Sequence, residues 1–212
     1  MESHLIITIG RQIGAGGLGV AQLLSQEFGL KVYDKELLAA VARESGLDEA
    51  CFEKRDEKSS RGVLGALQGF RSMLGMYNRA GTDTVMNEDK LFQIQSEVMR
   101  GIAAQEDCII VGRCADYILR DEPRLMSIFI SASLDSRVKR IMAGEHLSEE
   151  DARRYVEQGD RKRAAYYNYY TFKKWGDSSS YDLCIDATKL GDDVERVVDL
   201  IKYYLKQRNL IS

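Results

Sequence analysis

The sequence has almost no proline: Pro123 stands alone among 212 residues. Proline fixes φ and ends helices. Its scarcity excludes a proline-rich linker and leaves the chain open to long helices. Histidine is nearly as rare, and neither His4 nor His146 has partners at metal-ligand spacing. The four cysteines, Cys51, Cys108, Cys114 and Cys184, form no CxxC pair, which excludes zinc ribbons and thioredoxin-type motifs. No metal centre made by the chain itself is expected. Cys108 and Cys184 lie in apolar runs and are expected to be small buried hydrophobes. No apolar stretch approaches the roughly 18 residues of a membrane span, and no charged-then-apolar leader opens the chain. The expectation is a cytoplasmic protein with reduced thiols and no membrane partner. Surplus positive charge is lacking too: 30 Lys and Arg face 33 Asp and Glu, a net of −3. Nucleic acid is therefore not an expected partner.

Hydrophobic residues make up 44% and charged residues 30% of the chain, enough to bury one domain-sized core. The charge is unevenly placed. From Arg137 to Lys174 ten basic residues face six acidic ones, a local net of +4. A basic segment in an acidic chain suggests a small anionic ligand; the plainer alternative is a solvated helix face with i,i+4 ion pairs.

Short apolar runs at 5–9, 31–33, 108–111, 125–130 and 181–185 read as strands. Between them, 20–28, 35–44, 88–105, 135–142, 148–170 and 192–207 carry helical periodicity. Ser148, with Asp151 three residues on, reads as an N-cap. Strands alternating with helices indicate an α/β fold with a parallel sheet covered on both faces. From Leu47 to Asn87 no clean period emerges.

Between the first strand and the first helix lie five glycines in ten residues: Gly10, Arg11, Gln12, Ile13, Gly14, Ala15, Gly16, Gly17, Leu18, Gly19. Glycines there let the backbone approach a ligand, successive N–H groups can form a nest for phosphate, and the following helix N-terminus favours an anion. Gly14, Gly16 and Gly19 fit the dinucleotide pattern GxGxxG, with Asp34 as the acidic partner about 20 residues on. The P-loop pattern GxxxxGK[ST] fails at its last positions. After Gly16 come Gly17, Leu18 and Gly19, which supply neither the lysine charge nor a magnesium-binding hydroxyl.

Distant segments add a resemblance to these patterns. Ile6 to Arg11, Gly14 to Gly17, Tyr33 to Leu37, Ile109 to Tyr117 and Tyr166 to Asp182 together resemble the cytidylate kinase-like family. The resemblance spans nearly the whole chain. It implies a single three-layer P-loop kinase domain over 1–212 with a five-stranded parallel sheet. The core would comprise about 1–54 and 89–212, with a helical substrate-binding insert at about 55–88 and an arginine-rich helical lid at about 145–178.

It also implies roles. ATP would be the cosubstrate with Mg2+, and a small nucleotide such as CMP or dCMP the acceptor. Asp34, ending the second strand, matches a carboxylate near the transferred phosphate; by itself it also reads as a helix N-cap. Arg113, after Gly112, matches the arginine of a substrate-binding Gly-Arg-Asp motif. Cys114 replaces the aspartate, and Asp116 is the nearby carboxylate. Arg161 and Arg163 match lid arginines that stabilise the transferring phosphoryl group. Being two apart on a helix, they cannot both face one way. Arg137 and Arg140 share one helix face and could assist. Within the insert, Arg61, Arg71 and Arg79 could hold a substrate phosphate, while Leu64, Leu67, Phe70, Met73, Leu74 and Met76 could form the interface of a homo-oligomer. Three functions remain in view: an active phosphotransferase, a nucleotide-binding regulatory protein without catalysis, and a dinucleotide-dependent oxidoreductase.

Overall fold

The computed structural model describes residues 4–35, 37, 38 and 88–211. The expected insert with its three arginines, most of the expected 35–44 helix, and Cys51 lie outside the described residues.

Five strands form one parallel sheet. They are β1 (Ile6–Arg11), β2 (Lys31–Tyr33), β3 (Cys108–Val111), β4 (Leu125–Ser131) and β5 (Leu183–Asp186). Their spatial order is β2-β3-β1-β4-β5. The central place of β1 follows from its composition. Ile6, Ile7, Thr8 and Ile9 are all buried, and a strand covered on both faces reads as a continuous β-branched run rather than an alternation. Ile9 pairs with Val111 on one side and with Ile128 on the other.

The pleat sends successive residues into two cores. Ile7, Ile9, Ile109, Val111, Ile128 and Ile130 pack under α1 (Gly17–Phe28) and α6 (Val194–Gln207), which contributes Val197, Val198 and Ile201. Ile6, Cys108, Ile110 and Phe129 face α2 (Glu88–Ala103), the single turn α3 (Ala115–Ile118) and an aromatic layer. Each fully buried aliphatic side chain contributes about 1.5–3 kcal/mol, so these layers hold the sheet edge that carries the site.

Two further helices, α4 (Leu134–Glu145) and α5 (Glu149–Thr171), pack on each other through Val138, Ala152 and Val156. Ser148 caps α5 as its spacing predicts, accepting from Asp151 N at 3.2 Å. Element boundaries shift by a few residues from the sequence reading, and two helix starts show why. α1 begins at Gly17, three residues before Val20, and α6 begins at Val194 under an Asp193 cap. One expectation is corrected: Cys108 is buried, but Cys184 is exposed. It lies on β5, an edge strand whose burial is incomplete.

The chain leaves β1 toward β2 on one side, and leaves β3 toward β4 on the other. The connections after β1 and β3 thus run in opposite directions, which opens a crevice at the carboxyl edge between them. Among the described residues no helix is long and apolar enough to cross a membrane.

Candidate active site

A cleft of about 520 Å³ lies at that switch point, a size suited to a small molecule. The strand ends supply Gly10, Arg11, Gly112 and Arg113, and β2 is followed by Lys35. The opposite wall is α5. It presents Tyr155, Gln158, Gly159, Lys162, Arg163, Tyr166 and Tyr167, a helical stripe at three- and four-residue spacing. Five lining side chains are basic (Arg11, Lys35, Arg113, Lys162 and Arg163), and Asp116 is the acidic one among those described. Such a surface selects an anion.

The glycine loop stands beside this cleft. Gly14 and Gly16 have φ of 75° and 86°, left-handed values that glycine adopts without strain. Gly16 caps α1 and makes no side-chain hydrogen bond to it. The first-turn N–H groups of α1 thus have no N-cap side chain to satisfy them and no intrahelical partner, an arrangement suited to phosphate. Ala15 and Gly17 are buried, Leu18 is 47% exposed, and Gly19 lies inside α1 against Val194. Gly10 and Arg11 line the cleft; Gly14 to Gly19 do not.

Side chains from α4 and α5 hold the loop from behind. Asp160 accepts from Ile13 N at 2.8 Å and pairs with Arg137 at 2.6 Å. Arg137 also donates to the carbonyls of Ala132 and Ile13, at 3.0 and 3.3 Å. Arg140 donates to the Gly14 carbonyl. Both arginines, which share one helix face, bond the loop backbone. Ile13 packs into the gap left by Gly159, where a Cβ would come within 2.6 Å of it.

Arg163 lines the cleft and donates from Nη1 to the Arg11 carbonyl at 2.8 Å. Burial lowers its pKa and the Asp160 charge opposes this; an arginine stays protonated regardless. Arg161 is exposed and outside the cleft lining. Asp34 caps the turn that follows β2, its Oδ1 accepting from Leu37 N at 2.9 Å, and the next residue, Lys35, reaches the cleft.

Beyond β3 the backbone turns left-handed for three residues, with φ of 80°, 56° and 60° at Gly112, Arg113 and Cys114. Non-glycine residues held there cost of order 1–3 kcal/mol each, a feature concentrated at binding sites. The turn places the Arg113 guanidinium over Tyr166, 5.2 Å from the ring centroid. Asp116 accepts from the Tyr167 hydroxyl at 2.7 Å. Burial raises its pKa, and that hydrogen bond opposes the rise. Burial also pushes the Cys114 thiol up to about 12, so it is a packed group and not a nucleophile at neutral pH. Trp175 meets Phe129 edge-on, with centroids 5.2 Å apart.

Sequence reasoning missed Lys35, Lys162 and the loop-holding role of Asp160. The first two carried a readable signal: Lys35 follows Asp34 directly, and Lys162 belongs to the α5 stripe.

A parallel sheet of this order, with a glycine loop between the central strand and α1 and a basic cleft at the switch point, defines a P-loop kinase fold. Comparison with known proteins agrees. The chain belongs to the cytidylate kinase-like family, whose sequence model matches residues 6–189. It is 26% identical to the cytidylate kinase of Methanopyrus kandleri, over 89% of this chain and 88% of that protein. It is 27% identical to the cytidylate kinase of Methanosarcina barkeri, over 92% and 93%. Among solved structures, an uncharacterized protein from Eubacterium ventriosum superposes with a TM-score of 0.70 at 30% identity, covering 96% of this chain and 99% of that one. The shikimate kinase of Bacteroides thetaiotaomicron, at 12% identity and a TM-score of 0.52 over 95% and 98%, shares the fold. The oxidoreductase reading has no support in these comparisons.

Proposed function

We propose that the protein transfers the γ-phosphoryl group of ATP to a small anionic acceptor of the nucleoside monophosphate class, CMP or dCMP first among them. The observation that carries this reading is the cleft with five basic lining groups, set beside a glycine loop with an uncapped helix end. The loop backbone and α1 would hold the donor's phosphates. Arg113, Lys162 and Arg163 would hold the acceptor phosphate and the charge that develops on the transferred group. Tyr166, Tyr167 and Trp175 offer aromatic faces to a base, and Asp116 offers one carboxyl to its polar edge or to the sugar. Asp34, which caps the turn that carries Lys35, would hold that lysine at the attacking phosphate oxygen of the acceptor.

Kinase Mg2+ is held largely by nucleotide phosphates and water, with one or two protein ligands. The residues here do not build the usual loop contribution. Leu18 stands where a hydroxyl ligand belongs, and no group of three His, Cys, Asp or Glu among the described residues can hold a metal. Side-chain cations would carry the charge on the phosphates, and Mg2+ would enter with the nucleotide.

Leu18 and Gly17 also favour a second reading, a nucleotide-binding protein without catalysis. Incubation with ATP, Mg2+ and a panel of monophosphates, followed by 31P NMR, separates the two. Formation of ADP together with CDP or dCDP is the expected result. Nucleotide binding with no transfer to any acceptor would leave the binding reading.

A further inference from the structure

Counting along the P-loop pattern GxxxxGK with Gly16 as its second glycine puts the first glycine at Arg11 and the lysine at Gly17. The cation and the glycine have exchanged places. The structure gives the physical reason. A Cβ at Gly17 would lie 2.8 Å from Arg11 Cβ and 2.9 Å from Arg11 Cγ. The two positions open into one space, and a side chain fits from only one of them. Gly17 has no left-handed φ to demand glycine, so room for Arg11 is what it provides. At the far end the Arg11 guanidinium passes over Gly112, where a Cβ would come within 2.0 Å of Nη1. Gly112 N donates to Ile9 O at 3.0 Å and ties the ends of β3 and β1 together beneath it. Arg163 fixes the Arg11 carbonyl, and Arg11 itself lines the cleft. The Arg11 side chain thus runs from the start of α1, where its Cβ and Cγ lie and a donor phosphate would rest, to the floor of the acceptor cleft, where its guanidinium lies.

We infer that Arg11 is the phosphate-contacting cation of this loop, taking from the first loop position the place that lysine takes from the last. It binds the phosphoryl oxygens between donor and acceptor, with a planar fork in place of a point charge. This rests on the kinase reading, and the test keeps the two apart. Binding is read by titrating the full-length protein, Arg11→Gln and Arg11→Lys with inorganic tripolyphosphate. Catalysis is read as kcat and KM with ATP and the best acceptor. Arg11→Gln is expected to weaken tripolyphosphate binding at least tenfold and to lower kcat by roughly 100- to 1,000-fold, the range for one lost transition-state donor. Arg11→Gly combined with Gly17→Lys, which moves the cation back, is expected to recover at least tenfold in kcat over Arg11→Gly alone. Circular dichroism confirms that each variant is folded. Unchanged tripolyphosphate affinity in folded Arg11→Gln, or no recovery in the folded exchange variant, overturns the inference even where wild-type transfer is robust. If the wild type transfers nothing yet Arg11→Gln loses tripolyphosphate affinity, the kinase reading fails and Arg11 stands as the phosphate-binding cation.

Discussion

Asp160 and Arg137 form an ion pair at 2.6 Å with 17% and 9% of their side chains exposed, and both also bond the Ile13 backbone. The pair is therefore a brace for the glycine loop from helices more than a hundred residues away. A charge left alone in such a place costs more than the intact pair contributes. Arg137→Met is expected to lower the unfolding free energy by about 3–5 kcal/mol, measured by urea denaturation. Replacing both partners, Arg137→Met with Asp160→Leu, should cost less than Arg137→Met alone. A double variant that is the less stable of the two would contradict the uncompensated-charge account.

Arg163 and Arg161 separate cleanly in function on the same geometry. Arg163 lines the cleft and holds the Arg11 carbonyl, while Arg161 is exposed. Arg163→Gln is expected to lower kcat/KM by roughly 100-fold. Arg161→Ala should stay within about 0.5 kcal/mol of wild type in stability and within roughly twofold in kcat/KM. Steady-state kinetics on the two variants decides it, and equal losses would mean that α5 turns its other face to the ligand.

The five strands and most helices were legible because their signals are local. β1 is a β-branched run, and α2 and α6 keep 3.6-residue periodicity over several turns. The start of α1 was misplaced because glycines hide a helix that begins for reasons of packing. Cys184 was misread because an apolar run does not say whether its strand is central or at an edge. The loop brace was illegible for another reason: Asp160 meets Ile13 across 147 residues, and no local pattern encodes that meeting. The exposure difference between Arg161 and Arg163 follows from helix geometry alone, yet which of them faces the cleft required the fold.

Asp116 gives a pH dependence with a definite sign. Burial raises its pKa above the unfolded value, near 3.9 for an ordinary aspartate. Below the unfolded value the carboxyl is protonated in both states and costs nothing. As pH rises through the raised folded value, the buried group must ionise and native stability falls. Asp116→Asn keeps an acceptor for the Tyr167 hydroxyl without that cost. Its stability relative to wild type should therefore increase from acid toward neutral pH, measured as the difference in unfolding free energy across a pH series. A difference independent of pH would mean that Asp116 ionises as easily in the native state as in the unfolded chain.

The shared space of Arg11 and Gly17 has a stability signature that needs no substrate. In an ordinary helix position Gly→Ala gains about 1 kcal/mol. At Gly17 the new methyl meets Arg11 at its Cβ and Cγ, 2.8 and 2.9 Å away. Those atoms sit next to the backbone and cannot swing aside, so strand or helix must shift. Gly17→Ala is expected to destabilise the protein by about 1–3 kcal/mol, as overpacking does. In an Arg11→Gly background the clash is gone and the same change should stabilise. The sign of the Gly17→Ala effect thus reverses with the residue at position 11, and a thermodynamic double-mutant cycle by urea denaturation reads it directly. Additive effects would show that the two side-chain positions do not compete for one space, and the exchange of cation and glycine would then lack its steric cause.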